Sequence, residues 1–209
     1  MKQIFPDLWQ TDVEHPFWGV STHAYLLVQE TGNILFYNTS IKKEYAEIKE
    51  LGGISSQYVS HMDEAGPSLA EIKREFGSKL CFHKSEVLEI GKYAPADYLF
   101  DKTETIGNVE IIHTPGHTRG SVCFLVHSTS GKKYLFTGDT FYLNHGKWDI
   151  RVNGYGGGSK TDLMQSLKLL REIDADVIIF SASQGNNPYK EVTTEEWRLA
   201  VDNVLHTLA

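Results

Sequence analysis

Nine residues, His113-Thr114-Pro115-Gly116-His117-Thr118-Arg119-Gly120-Ser121, join two apolar runs that both read as strands. Val109 to Ile112 precedes them and Ser121 to His127 follows. Pro115 and Gly116 force a tight turn, and Gly120 relaxes the backbone before the second strand begins. His117 is therefore held on a short, stiff loop at the edge of a sheet. A metal ligand or a catalytic base fits that place.

The rest of the chain supplies the sheets. Ile4 to Thr11 reads as a first strand. Residues 13–19 form a loop broken by Pro16 and Gly19, in which Phe17 and Trp18 either fold over a pocket or close the core. His23 to Val28 and Ile34 to Tyr37 form a hairpin around Gly32-Asn33. Lys43 to Leu51 has helical spacing, and Gly52-Gly53 ends it. Gln57 to Ser60 is a short strand. The helix after it has a capping-box pattern, Ser68 with Glu71, and Gly77 stops it. Lys79 to His83 is a strand, and Ser85 to Asp101 reads mostly as loop. Lys133 to Thr137 is a further strand. Phe141 to Ser159 is a long Gly-rich segment of the kind that is functional or mobile. Thr161 caps the next helix, and Asp176 to Phe180 is a buried strand. Thr193 with Glu196 opens the last helix by a second capping box. Each half holds a mixed sheet and its own helices. Two sheets packed face to face with helices outside would bury every apolar face, so a mixed α/β (α+β) four-layer αββα sandwich is expected. No linker divides residues 1–209, and a single domain is expected.

Composition narrows the class. The 209 residues are 41% hydrophobic and 22% charged, ordinary for a water-soluble fold. A net charge of −7 argues against nucleic-acid binding. Cys81 and Cys123 each lie inside an apolar run and read as buried reduced thiols. No run approaches the roughly 18 apolar residues that span a bilayer, and the first residues lack a signal-peptide core. The expectation is a cytoplasmic protein without membrane partners.

Polar residues fall just past successive strands: His61, Asp63 and Glu64, then His117, Asp139 and Gln184. Residues in such positions meet at one rim of a sheet. Imidazoles with carboxylates suit zinc, iron or manganese. Asp63 is placed to orient a water or take its proton. In the Gly-rich segment Tyr142, Asn144, His145, Lys147, Trp148 and Arg151 cluster, and with Arg119 they offer cations for an acidic substrate. Arg119, Tyr142, His145 and Gln184 are the candidate substrate-binding residues.

The loop carrying His117 resembles the Thr-Pro-Gly-His-Thr-x-Gly-Ser signature of the metallo-β-lactamase superfamily, and the chain is similar to its glyoxalase II-like hydrolases. That resemblance implies the αββα sandwich. The family's first motif, Thr-His-x-His-x-Asp-His-x-Gly, matches Tyr58 to Gly66. Val59 then stands for the first histidine, His61 for the second, and Glu64 for the third. An alternative alignment makes His61 the first histidine. Thr137-Gly138-Asp139-Thr140 matches the motif whose aspartate bridges two metals. Gln184 stands where a last histidine is expected. The resemblance thus implies metal ligands His61, His117 and Asp139 with Asp63 and Glu64 beside them, and at most one well-formed site for a single divalent ion, zinc, iron or manganese.

Three functions follow. The first is a metal-dependent hydrolase of a small ester or thioester. The second is a non-catalytic, metal-free binding protein of the same fold. The third is a mononuclear iron oxygenase, because two histidines and a carboxylate also suit ferrous iron. A small-molecule substrate is the expected partner, and a homodimer is compatible with the sequence.

Overall fold

The structure, a computed structural model, describes residues 1–185 and 187–208. Its strands form two large sheets. The first orders Lys2–Phe5, Leu8–Gln10, Tyr25–Leu27, Ile34–Phe36, Ser56–Tyr58, Lys79–His83 and Tyr98–Phe100. It is antiparallel up to Ile34–Phe36 and parallel beyond it. The second orders Tyr189–Glu191, Val177–Phe180, Lys133–Gly138, Val122–His127, Val109–His113 and Glu104–Ile106. Only its Lys133–Gly138 and Val177–Phe180 strands run parallel, as a crossover through the Lys160–Arg171 helix requires.

The layers follow from side-chain alternation along strands buried on both faces. In Lys133–Gly138, Tyr134 and Phe136 point into the cluster between the sheets, whereas Leu135 points outward. Val177 and Ile179 face inward in the same way, and Ile178 and Phe180 outward. The inner cluster joins Tyr25, Phe36 and Tyr58 of the first sheet to Phe124 and Phe136 of the second. Phe36 and Phe136 stack across the seam with centroids 4.1 Å apart. The outer face of the second sheet packs on the Lys160–Arg171 and Thr194–Leu208 helices through Leu167, Leu170, Trp197 and Val201. The outer face of the first sheet packs on helices through Ile48, Leu69, Ile72 and Ile90. This is the expected αββα sandwich.

Several local expectations change. The first strand is a hairpin, because Pro6-Asp7 turns the chain between Phe5 and Leu8. Ser68 is not a cap: the helix begins one residue earlier than its pattern suggests, after Pro67. The Ser68 hydroxyl donates instead to Asn38 Oδ1. Ser159, not Thr161, caps the next helix by accepting from Asp162 N–H. The Thr193–Glu196 box forms as expected, each side chain accepting from the other's backbone N–H. The segment read as loop from Ser85 to Asp101 contains the Val87–Ile90 helical turn and the edge strand Tyr98–Phe100. Phe17 and Trp18 do not close the core, since they are 73% and 102% exposed. Both cysteines are buried and unpaired. Among the described residues no helix is long and apolar enough to cross a membrane.

Candidate metal centre

The two sheets bring four strand ends to one rim. His61 and the short 3₁₀ turn Met62–Glu64 follow the Ser56–Tyr58 strand. His117 lies between the Val109–His113 and Val122–His127 strands, and Asp139 follows Lys133–Gly138. The sheets are tied at this rim by Val122 N–H donating to the Ser60 carbonyl and by Gly138 N–H donating to the Tyr37 hydroxyl. Gly138 has φ +55°, and a Cβ there would lie 2.4 Å from Ser60 Oγ. A side chain at that position would push apart the elements that carry His61 and Asp139.

His61, Asp63, His117 and Asp139 converge, with one ligand atom of each lying within 4.8 Å of all the others. His117 Nε2 is 3.3 Å from Asp63 Oδ2 and 3.9 Å from Asp139 Oδ2. His61 Nε2 is 3.5 Å from Asp139 Oδ2. These contacts lack hydrogen-bond geometry, and both Nε2 atoms are buried without a partner among the described residues. Ions of this class sit about 2.0–2.2 Å from nitrogen and oxygen ligands, which places ligands sharing one ion roughly 3–4 Å apart. The 3.3, 3.5 and 3.9 Å spacings and the two unpartnered imidazole nitrogens therefore fit a divalent cation.

The remaining atoms of each ligand are held from behind. His117 Nδ1–H donates to the Arg151 carbonyl at 3.0 Å, which leaves the Nε2 lone pair facing the cluster. Asn153 Nδ2 donates to both Asp63 oxygens, 2.9 Å each. Ser181 Oγ donates to Asp139 Oδ1 at 2.7 Å. Burial by itself would raise the Asp139 carboxyl, but the neighbouring His61, then His117, hold it well below the usual carboxylate range. Asp63 is likewise depressed: burial opposes the shift, and His117, His61 and Asn153 overcome it. Burial would lower His61, yet Asp139 and Glu64 raise it well above its ordinary value.

Other expected site residues divide. Glu64 is not brought to the cluster. Its carboxylate turns back to accept from Ser60 N–H and Oγ–H, on the Nδ1 side of His61. Val59 is fully buried in an apolar cluster with Leu69, Leu80 and Phe82. Tyr142 and Gln184 line a cavity of about 790 Å³ that opens on the cluster. His145 is not among the residues lining it; its N–H donates to the Gln184 carbonyl. Arg119 is exposed, packs beside Gly157 and also lies off the cavity. Arg151 is a cation on the cavity wall instead.

Phe141 to Ser159 is not one open loop. Tyr142–Asn144 and Lys147–Asp149 pair as a hairpin. Asn153 to Ser159 then wraps the His117 loop: Asn153 N–H donates to the His117 carbonyl, Ser159 N–H to that of Gly116, and the Gly156 carbonyl accepts from Arg119 N–H. Asn153, Ser60 and Ser181 were not singled out from sequence. The Asn153-Gly154 pair and the position of Ser181 at a strand exit were the available signals.

A profile described as the metallo-beta-lactamase superfamily matches residues 39–182, more than half of the chain and the segment that holds all four converging residues. The chain belongs to the metallo-beta-lactamase superfamily. This superfamily protein is 40% identical over 85 residues to a probable hydroxyacylglutathione hydrolase of Schizosaccharomyces pombe, covering 39% of this chain and 30% of that one. It is 42% identical over 85 residues to an uncharacterised protein of Mycobacterium tuberculosis, covering 38% and 36%. The matched region thus spans about a third of the length of these relatives. Among solved structures, a metallo-beta-lactamase family protein from Thermus thermophilus superposes with TM-score 0.73 at 16% identity, over 98% of this chain and 80% of that one. A metallo-beta-lactamase from Pontibacter korlensis superposes with TM-score 0.70 at 17% identity, over 97% and 98%. At such identities the likeness is one of fold.

Proposed function

We propose that this superfamily member is a hydrolase of a small ester or thioester that works with one divalent ion held by His61, His117, Asp139 and Asp63. The observation that carries the reading is the convergence of these four side chains with two buried, unpartnered Nε2 atoms. Zinc, manganese and ferrous iron all suit two imidazoles with carboxylates. When bound, such an ion supplies Lewis acidity at the scissile carbonyl and acidifies water. The chain does the rest. Asp63, pinned by Asn153, orients the attacking water and accepts its proton. Asp139, pinned by Ser181, keeps its negative charge beside both imidazoles. The cavity of about 790 Å³ is of a size that takes a metabolite, with Tyr142, Arg151 and Gln184 on its wall. The similarity to a protein named as a probable hydroxyacylglutathione hydrolase makes acyl thioesters the first substrates to assay.

The test is metal analysis of protein purified without chelator, then reconstitution with zinc, manganese and iron and assay on ester and thioester panels. One ion per chain is expected, with turnover lost in His117→Ala and Asp139→Asn. Failure to bind any of the three ions at micromolar concentration would overturn this reading in favour of a metal-free binding protein.

A further inference from the structure

Glu64 sits one residue after Asp63 yet faces away from the ligand atoms. The reason is local. Residues 62–64 form a 3₁₀ turn in which Glu64 N–H donates to the His61 carbonyl, so residue 64 folds back over residues 60 and 61. Asn38 Nδ2 donates to the Glu64 carbonyl and locks the turn. The side chain, only 7% exposed, then accepts from Ser60 N–H at 2.9 Å and from the Ser60 hydroxyl at 2.5 Å. Ser60 Oγ is in turn 2.8 Å from His61 Nδ1. With the hydroxyl proton given to Glu64, Ser60 Oγ can only accept from His61 Nδ1–H. That tautomer leaves the lone pair on Nε2, the atom that faces Asp139 and has no partner.

We propose that Glu64 is a positioning residue: acting through the Ser60 hydroxyl, it fixes the tautomer and ring orientation of His61 for a one-metal centre. This rests on the proposed metal-binding role of the site. For Glu64 to ligate a second ion its carboxylate would have to leave the buried Ser60 N–H without an acceptor and free the Ser60 hydroxyl to donate to His61 Nδ1, which would put the ring proton on Nε2. The same carboxylate cannot serve both tasks, so the chain has one ion site and a braced histidine where a second site would otherwise stand.

The experiment is calorimetric titration of metal-free protein with zinc and, separately, manganese. Wild type is compared with Glu64→Gln, Glu64→Ala, Ser60→Ala and the double alanine variant. Nitrogen-15 spectra of the histidine rings read the His61 tautomer directly. Wild type should bind one ion per chain, with His61 carrying its proton on Nδ1 in the loaded state. Glu64→Ala and Ser60→Ala should each weaken zinc binding about 10- to 100-fold while stoichiometry stays at one. The double variant should be no weaker than the worse single one, because both remove the same brace. Glu64→Gln, which retains an acceptor oxygen, should fall between. A wild type that binds two ions, with Glu64→Ala dropping to one, would overturn the proposal. So would single variants that bind zinc as tightly as wild type with an unchanged His61 spectrum. A wild type that binds no ion would overturn the metal-dependent reading itself, which separates the two failures. If Glu64→Ala fails to fold, Ser60→Ala, which removes only a hydroxyl, decides the matter.

Discussion

One amide group of Asn153 donates to both carboxylate oxygens of Asp63, at 2.9 Å each, and so ties the Gly-rich segment to the turn that follows the Ser56–Tyr58 strand. Asn153 also sends its N–H to the His117 carbonyl, so one residue braces two candidate ligands. Asn153→Ala should therefore weaken metal binding about tenfold or more while the fold persists. Calorimetric titration beside a thermal melt checks this. Unchanged affinity would show that Asp63 needs no support from the segment.

Gly158 makes a sharper prediction about the same segment. A Cβ there would lie 2.2 Å from the His117 carbonyl oxygen and 2.7 Å from the carbonyl oxygens of Asn153 and Gly116. All three neighbours are backbone, so nothing flexible can yield. Gly158→Ala should cost about 1–3 kcal/mol of stability and displace the His117 loop. Chemical denaturation measures the first effect and metal titration the second. Gly154→Ala is the control, since a Cβ there meets nothing within 4 Å.

Glu86 is buried behind the same loop. Its Oε1 accepts from Thr118 Oγ1 at 2.6 Å and from Gly120 N–H at 2.8 Å. Glu86→Ala would strand two buried donors, and a loss of about 2–4 kcal/mol is expected. Glu86→Gln keeps an acceptor oxygen and should cost less. Equilibrium unfolding in urea ranks the three proteins, and equal stability of all three would contradict the assignment.

His83 and His113 stack with ring centroids 4.1 Å apart and planes 12° from parallel. Burial, then the neighbouring His113, pulls His83 down to about 4. His83 Nδ1 accepts from Ser85 N–H, and protonation there would break that bond. The unfolded chain takes up the His83 proton near pH 6.5 and the folded chain only near 4, so the unfolded state binds more protons between those values. Stability from this group is present above about pH 6.5 and falls as pH drops toward 4, by at most about 3 kcal/mol. Comparing denaturation midpoints of wild type and His83→Phe at about pH 7.5, 6 and 5 isolates the effect. A wild-type midpoint no steeper in pH than that of the variant would refute it.

The sandwich was legible because its cause is local and repeated. Tyr134, Phe136, Val177 and Ile179 alternate with Leu135, Ile178 and Phe180, and a strand that is apolar on both faces must be covered on both. The elements that were missed are short, three residues each, too few to show a period. Tyr98–Phe100 and Glu104–Ile106 are short strands at sheet edges, where one side of the ladder faces no partner strand. The Tyr142–Asn144 hairpin turns at His145-Gly146, with φ of +48° and +79°. The density of glycines around it read instead as loop. Ser68 with Glu71 has the composition of a capping box, yet Ser68 serves Asn38 and Glu71 pairs with Lys42. Tertiary partners outcompeted the local ones.

The sequence by itself determined the layers and named the four side chains that converge, because strand periodicity and position at a strand end are properties of a chain segment. Only the tertiary structure decided what each side chain faces. It turned Glu64 behind His61, moved Arg119 off the cavity, set Arg151 on its wall and brought Asn153 to Asp63. The physical reason is that a polar side chain at a rim has several partners within reach. Which one it takes depends on which donors and acceptors distant segments have already satisfied there.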